Sequence, residues 1–404
     1  MKIPQEFIEL IKRDVSIVEV AEDYFKLHKT GTIFQANCIH EGGDKTPSLT
    51  FFSDTNSFHC FGCGAGSKQK TDGSDIVSFV MWVDNCSFPE AVARLANKKG
   101  LKVPSTEMSA DDKKKAQIMA GTLEMNRNYW TALQEQPVVL DYLNNRGIGK
   151  EEVDKFRIGW VPFEDPQKVA GRLAFAIMND WGQTVGFSFR NMEEFIPHPI
   201  SPDTGPKYVN SPKSLVFDKG SLLYGLNFVK RMIREKDYVV VAEGFGDTIL
   251  GQKYNCPFVS IMGTSLTAEH IKILSKYTKN IYVWLDGDAG GVAAALRHLT
   301  PLRAEGLMVK VIYTPGCDPD DVCMQMGEHL EQFIKENAVL AGQFEIDLVM
   351  GKFRSDMTEL KFKAIAQVRA IIQAIPSAQE RQVYANHIAH ELSVEPNILL
   401  QGSE

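Results

Sequence analysis

The chain has no run of about 18 uninterrupted apolar residues, so nothing in it reads as a membrane-spanning helix. Its start, MKIPQEFIELIKRDV, alternates charged and apolar side chains. That pattern suits an amphipathic helix and lacks the continuous apolar stretch of a secretory leader, so a cytoplasmic protein is expected. No GxxxxGK[ST] occurs, which excludes a fused P-loop motor. Repeats and low-complexity tracts are lacking. An excess of positive charge is lacking too, since the net charge is -7. The chain as a whole therefore does not present a basic surface, although basic residues can still cluster locally. Cysteine is sparse and odd in number, with seven in 404 residues, which argues against a disulfide framework and for a reducing compartment.

What is present is an ordinary globular composition, 44% apolar and 24% charged, with length for two or three domains. Residues 1–103 form a small cysteine-bearing module, with short strands around IFQAN and SLTFF and a turn at Ser53-Asp54-Thr55-Asn56. Helices follow, one carrying Ile76, Val77, Phe79, Val80 and Trp82, and one from Pro89 to about Lys98. Residues 104–115 hold Pro, Ser and Thr and then a charged run, and are expected to be a linker. A helix is expected from about 116 to 145. From Tyr238 the pattern changes to apolar, β-branched runs at Tyr238–Ala242, Phe258–Met262, Ile281–Leu285 and Met308–Tyr313, separated by helical stretches. Runs without alternation are buried on both faces, which implies a parallel α/β sheet. Beyond about 325 the chain reads as helix. The fold class is therefore α/β, α+β overall. The domains expected are 1–103, the linker 104–115, an N-terminal core region 116–236, the sheet region 237–325, and a helical region 326–404.

Two constellations carry chemistry. Cys60-Phe61-Gly62-Cys63 is a thiolate pair with glycine in its turn, and Cys38-Ile39-His40 lies about twenty residues earlier. Two such pairs can surround one tetrahedral zinc ion, which would supply stability that so small a module lacks. His40 competes with His59 for the fourth ligand position, and Glu41 is a weaker candidate. Phe51, Phe52, Phe58 and Phe61 sit among Lys45, Thr46 and Ser48; at least two suit the core of the small sheet, and the others are candidates to stack on unpaired bases.

The second constellation is acidic. Glu243 ends the run VVVA, with Asp247 a turn later. Asp286 and Asp288 follow IYVWL, and Asp318 and Asp320 follow VKVIY. Acid at three successive strand ends falls where open α/β sheets bind ligands. Such carboxylates repel one another unless cations are present, and oxygen-only ligands suit Mg²⁺ or Mn²⁺. Between Asp203 and Lys236, seven Lys or Arg stand against three Asp or Glu, a local basic stripe fit to neutralise phosphate.

These motifs, in this order, resemble the DnaG-type primases over nearly the whole chain. CIHEGGDKTPSLTFF with FHCFGCG is similar to that family's zinc module, although Cys-x-His replaces its Cys-x-x-His. YLNNRGIGKEEVDKFRIGW, PKYVNSP and FDKGSLLYGL resemble the opening and basic ridge of its polymerase core, and EGFGD, DGDAGG and DPDD its Toprim motifs. The tail IIQAIPSAQERQVYANHIAHELSV resembles the segment that closes the core. The resemblance implies RNA primer synthesis from ribonucleoside triphosphates on single-stranded DNA. It implies one structural zinc on Cys38, His40, Cys60 and Cys63. Catalytic Mg²⁺ or Mn²⁺ would be held by Glu243, Asp286, Asp288, Asp318 and Asp320, supported by Asp247, with Glu243, Asp286 and Asp288 central to catalysis. Lys207, Asn210 and Lys219 match positions that contact template or nucleotide, and Arg146 and Arg190 match basic core positions. It also implies a replicative helicase as partner of a monomer without membrane contact, yet the chain is expected to lack the helicase-docking domain. The alternatives are another Toprim enzyme, a nuclease or topoisomerase, and a non-catalytic single-strand-binding adaptor.

Overall fold

The computed structural model describes residues 3–38, 46–67, 71, 73–84, 86–103, 110–165, 168–197, 199, 203–263, 265–351, 358–375 and 377–401. Two compact units emerge: Met1–Glu135 with Ile158–Asp218 and Asn227–Lys236, and Gln136–Arg157 with Lys219–Leu226 and Asp237–Glu404.

The first unit begins with helix α1 (Gln5–Asp14), which turns Phe7, Ile8 and Ile11 inward, and the short helix α2 (Ile17–Ala21). Strands β1 (His28–Thr30), β2 (Ile33–Ala36), β3 (Leu49–Phe52) and β4 (Ser57–Cys60) form an antiparallel meander. The β3–β4 turn ends at Asn56, in the left-handed region at φ 47°. Its carboxamide donates to Lys12 O and Val15 O at 2.7 Å each and accepts from Ile17 N at 2.7 Å, so one polar side chain ties the α1–α2 corner to the sheet. Helix α3 (Ile76–Asp84) puts Phe79 edge-on to Phe51 and Phe58, with ring centroids 5.2 Å away in both cases. Offset and edge-on ring pairs add about 0.5–1.5 kcal/mol beyond the area they bury. Helix α4 (Phe88–Lys98) starts one residue before Pro89 because Glu90 accepts from the backbone N–H and hydroxyl of Ser87, at 2.8 and 2.6 Å.

Helix α5 runs from Ala110 to Gln134, so the second half of the expected linker is helical, and residues 104–109 lie outside the described ones. The expected helix to 145 is interrupted at Gln136-Pro137, where α6 (Pro137–Asn145) begins with proline in its first turn. Helix α7 (Lys150–Phe156) follows. The first unit then holds a second antiparallel sheet that the sequence reading passed over: β5 (Gly159–Trp160), β6 (Arg172–Met178), β7 (Thr184–Asn191) and β8 (Tyr208–Asn210). Every residue of β6 is buried, so no polar–apolar alternation marks it. Tyr129 of α5 packs on Phe187 at 5.5 Å and Phe189 at 6.3 Å. Helix α8 (Leu226–Lys236) is amphipathic, and Phe228 packs against the cluster that includes Tyr129.

In the second unit, β9 (Val239–Ala242), β10 (Phe258–Ser260), β11 (Asn280–Val283) and β12 (Met308–Val311) are parallel, in the order β10-β9-β11-β12. A two-residue edge strand, β13 (Val339–Leu340), adds antiparallel to β12. The connections are helices α9 (Phe245–Lys253), α10 (Ala268–Leu274) and α11 (Ala289–Ala304). Uniform burial of β9 and β10 matches the unalternated apolar runs read from sequence. After α12 (Pro319–Met326) and α13 (Leu330–Asn337) come α14 (Ala341–Met350), α15 (Thr358–Ala374), α16 (Ala378–Leu392) and α17 (Pro396–Leu400), whose Val368, Ile372, Ile388 and Leu392 share a separate apolar core. Among the described residues no helix is long and apolar enough to cross a membrane.

One buried charge organises the segment leading into β8. Arg172, 2% exposed, donates from Nε and Nη2 to the two carboxylate oxygens of Asp203 at 2.6 and 2.8 Å, and from Nη1 to Pro206 O at 2.9 Å. Removing one partner of a buried pair leaves the other charge without compensation. Asp203→Ala is expected to lower unfolding stability by roughly 3 kcal/mol. Urea denaturation followed by tryptophan fluorescence reads this directly, and an unchanged midpoint would show that the pair is dispensable.

Candidate active site

The acidic residues owe their placement to the parallel sheet. Glu243 is the first residue after β9. The next residue, Gly244, donates its N–H to the Asp247 carboxylate at 2.9 Å at the start of α9, and Asp247 is buried. Asp286 lies three residues past β11, and Asp288 caps α11 by accepting from Gly291 N at 2.7 Å. Two of the loop's glycines leave no space for a side chain: a Cβ on Gly287 would stand 2.0 Å from Thr314 O, and one on Gly291 2.0 Å from Asp286 O. DGDAGG is thus a packing requirement as much as a ligand motif. Asp318 occupies the N-cap position of α12, and Asp320 is buried in its first turn.

Three carboxylates, Asp318, Asp320 and Asp321, offer oxygens within 4.8 Å of one another. Asp321 was not among the expected ligands, although DPDD displays it. Glu243, Asp247, Asp286 and Asp288 join no such tight group among the described residues, but their charges act on one another. Burial pushes the Asp247 carboxyl up to about 7, assisted by the negative charge of Asp320 and, more weakly, of Asp286 and Asp318, against the Gly244 N–H. Burial also raises Asp286 to about 6, with Asp318, Glu243, Asp288 and Asp320 adding to the shift. A site that holds its carboxylates against such repulsion is built for bound positive charge. Oxygen donors alone make it fit a hard divalent cation.

One protein cation is already there. The Arg146 guanidinium, from the loop after α6, pairs with Asp320 and donates to Tyr142 OH at 3.4 Å. Burial works against its charge, but the Asp320 carboxylate outweighs burial and raises Arg146 above the ordinary arginine value. Lys219 sits half-buried in a 3-10 turn of the same unit; burial lowers its ammonium, and the charge of Glu243 opposes the shift. The other expected contact residues belong to the first unit. Lys207 is exposed just before β8. Arg190 donates from Nη1 to Tyr208 OH at 2.9 Å, with its guanidinium 5.6 Å from that ring. Asn210 ends β8 with its carboxamide oxygen buried and without a hydrogen-bond partner among the described residues. The basic stripe of the sequence therefore divides among a strand, a 3-10 turn and α8.

In the zinc module, Cys38, Cys60 and Cys63 bring their sulfurs within 4.8 Å of one another, with Cys38 and Cys63 at 3.5 Å. A tetrahedral zinc with Zn–S bonds of about 2.3 Å needs sulfurs about 3.8 Å apart, so the three fit. Burial works against a thiolate at Cys60, but the N–H of Cys63, the Ser48 hydroxyl, the Cys38 thiol and the N–H of Gly62 outweigh it, and its value falls below that of a free thiol. His59 pairs across the sheet with Thr50, one residue out of step with Cys60, and its ring packs on Phe61 at 4.7 Å. Strand alternation thus turns it to the face opposite Cys60, and it is not part of the sulfur group. His40, Glu41 and Lys45 lie outside the described residues. Phe51 and Phe58 are core, Phe52 is half-buried, and Phe61 is 71% exposed.

Four families match consecutive parts of the chain: the CHC2 zinc finger over residues 3–111, the N-terminal domain of the DNA primase catalytic core over 167–230, a Toprim-like family over 240–323, and the DnaB-helicase binding domain of primase over 343–397. Part by part, the chain is similar to the DnaG-type DNA primases. A DNA primase of Geobacillus stearothermophilus is 34% identical over 363 residues, 79% of this chain and 58% of that one. That of Halalkalibacterium halodurans is 29% identical over 441 residues, 99% of this chain and 71% of that one. The zinc-binding and RNA polymerase domains of the Aquifex aeolicus primase match with a TM-score of 0.60 and 26% identity, covering 98% of both chains. A structure of the DnaG catalytic core matches with a TM-score of 0.55 and 25% identity over 70% of this chain and 99% of that one. The expectation that the helicase-docking domain is lacking is overturned by the match at 343–397. Helical periodicity in IIQAIPSAQERQVYANHIAHELSV reveals a helix but not the domain that owns it, and the helices there build a core of their own.

The raised carboxyls give a pH signature. A carboxyl whose folded value exceeds its unfolded value of about 4 holds its proton better when folded, so its contribution is favourable at low pH and is lost as pH rises toward 7. Asp247→Asn keeps an acceptor for Gly244 N–H and removes the charge. In metal-free protein its melting temperature is expected to rise relative to that of the wild type between pH 5 and pH 8. A difference independent of pH would contradict the assigned repulsion.

Proposed function

We propose that this primase joins ribonucleoside triphosphates into short RNA primers on single-stranded DNA, using divalent cations held at the acidic strand ends. The observation that carries this reading is acid at three successive strand ends of one parallel sheet, with Arg146 and Lys219 in the same unit. Glu243, Asp286, Asp288, Asp318 and Asp320 are the proposed ligands, with Asp321 added by its closeness to Asp318 and Asp320 and with Asp247 supporting from beneath. Magnesium or manganese bound there supplies activation of the primer hydroxyl and neutralisation of the triphosphate. The protein's own share is positioning. Asp288 is fixed by its helix cap and Asp286 by the closed packing of Gly287 and Gly291. Arg146 neutralises Asp320 and carries a guanidinium suited to a phosphate oxygen. Lys207, Asn210 and Arg190 are proposed to follow the template or nucleotide along the antiparallel sheet, and residues 343–397 to dock a replicative helicase. Cys38, Cys60 and Cys63 hold one zinc with His40 as the proposed fourth ligand, and Phe61 is free to stack on a template base.

Template-directed ribonucleotide incorporation on a random single-stranded library tests the activity. Asp286→Ala is expected to lower it by at least about 10³-fold with the fold intact, as loss of a metal ligand in nucleotidyl transfer should. Cys60→Ser is expected to lose the zinc and to impair initiation more than extension of a pre-annealed primer. Primer synthesis by Asp286→Ala at the wild-type rate would refute the catalytic assignment.

A further inference from the structure

A cavity of about 420 Å³ lies inside the first unit, walled by the zinc module on one side and by the antiparallel sheet and α8 on the other. Cations reach it from both walls: Arg94 and Lys98 from α4, Lys230 and Arg231 from α8. Trp181, in the tight turn between β6 and β7, adds an indole, and Asn227 a carboxamide. Lys230 is the unusual member. It is 5% exposed, donates one bond, to Asp180 O at 2.6 Å, and makes no ion pair with a carboxylate among the described residues. An ammonium has three donors, and burying one without a counter-charge is costly.

We propose that this cavity is a second nucleotide site, which takes a nucleoside polyphosphate without a divalent ion and so ties the zinc module to the polymerase core. Phosphate oxygens suit the four cations, and an aromatic base suits the indole face. Of the neighbouring carboxylates, Asp180 lines the cavity beside Lys230, which its backbone carbonyl holds, and two others are engaged by cations. Asp23 is engaged by Lys98 at 2.5 Å and Glu235 by Arg231 at 2.8 Å, both in part-exposed pairs. Such pairs contribute only about 0.2–1 kcal/mol, so a multivalent anion exchanges with them readily. Arg94 keeps its partner Asp84 and lies 4.9 Å from the Tyr24 ring, which fixes its position at the rim.

Binding carries a proton signature. Burial pushes the Lys230 ammonium down to about 7, the charges of Arg94 on α4 and Arg234 on α8 lower it further, and Asp180 and Asp23 oppose. An arriving anion stabilises the charged form, so the complex takes up a proton near pH 7.5.

The test is calorimetry of the full zinc-loaded chain with ATP and no added divalent ion, in two buffers of different ionisation heat. One site with net proton uptake is expected. Lys230→Met should abolish the uptake and weaken binding by at least about tenfold, as loss of a desolvated charged partner does. The exposed double variant Lys98→Ala/Arg231→Ala, which does not disturb the buried lysine, should weaken binding by a similar factor and keep the uptake. No binding without a divalent ion, or binding undiminished in both variants, overturns the site. Inorganic tripolyphosphate binding as tightly as ATP, with Trp181→Ala without effect, overturns the nucleotide assignment.

Discussion

Repulsion among carboxylates brought to one edge of a parallel sheet is the constraint on which the second unit turns. The strands β9, β11 and β12 are adjacent and parallel, so their carboxyl ends lie side by side and whatever follows them is gathered there. Acid follows all three. The folded chain bears the cost in the raised carboxyls of Asp247 and Asp286, and the ion pair of Arg146 with Asp320 offsets part of it. Packing fixes the loops so that the acids cannot move apart: Gly287 and Gly291 admit no Cβ, and Asp288 is held by its cap. The result is a site preorganised for cations, in which charge that destabilises the empty protein becomes binding energy for a divalent ion.

The first unit meets its charge differently. Arg172 is fully enclosed, satisfied by two oxygens of Asp203 and one of Pro206, and so fixes the segment that delivers Lys207 and β8. In the zinc module three sulfurs converge where a metal would be held, beside a small core of edge-on rings. Lys230 is the contrast, a buried cation that donates to a backbone carbonyl and, among the described residues, pairs with no carboxylate, and that contrast is what marks its cavity for an anion.

Legibility in the sequence followed periodicity and chemistry. The parallel strands were readable because apolar runs such as VVVA and IYVWL stay apolar at every position, as burial on both faces demands. The acids were readable because each stands directly after such a run. The sheet β5–β8 is harder to read: RLAFAIM shows no alternation, although Val185, Phe187 and Phe189 alternate in TVGFSFRN and Asn179-Asp180-Trp181-Gly182 marks the turn between them, and Arg172 looks like a surface residue until Asp203 is found against it. Asp111 to Lys115 reads as a charged loop, whereas it lies in the first turns of α5. Amphipathic periodicity in the helical tail shows a buried face and not what that face serves; residues 343–397 match the DnaB-helicase binding domain of primase. Asp321 escaped notice since a fourth letter in DPDD looks redundant until distances show it beside Asp318 and Asp320.

The account rests on cations replacing protons and protein charge at the acid cluster. The most direct measurement is the number of protons released when Mn²⁺ binds to the zinc-loaded chain, taken from calorimetry in paired buffers at pH 6.5 and pH 8.5. With Asp247 near 7 and Asp286 near 6 in the metal-free protein, binding at pH 6.5 should release protons and binding at pH 8.5 almost none. Saturable binding with no proton release at pH 6.5, or with the same release at both values, would contradict it.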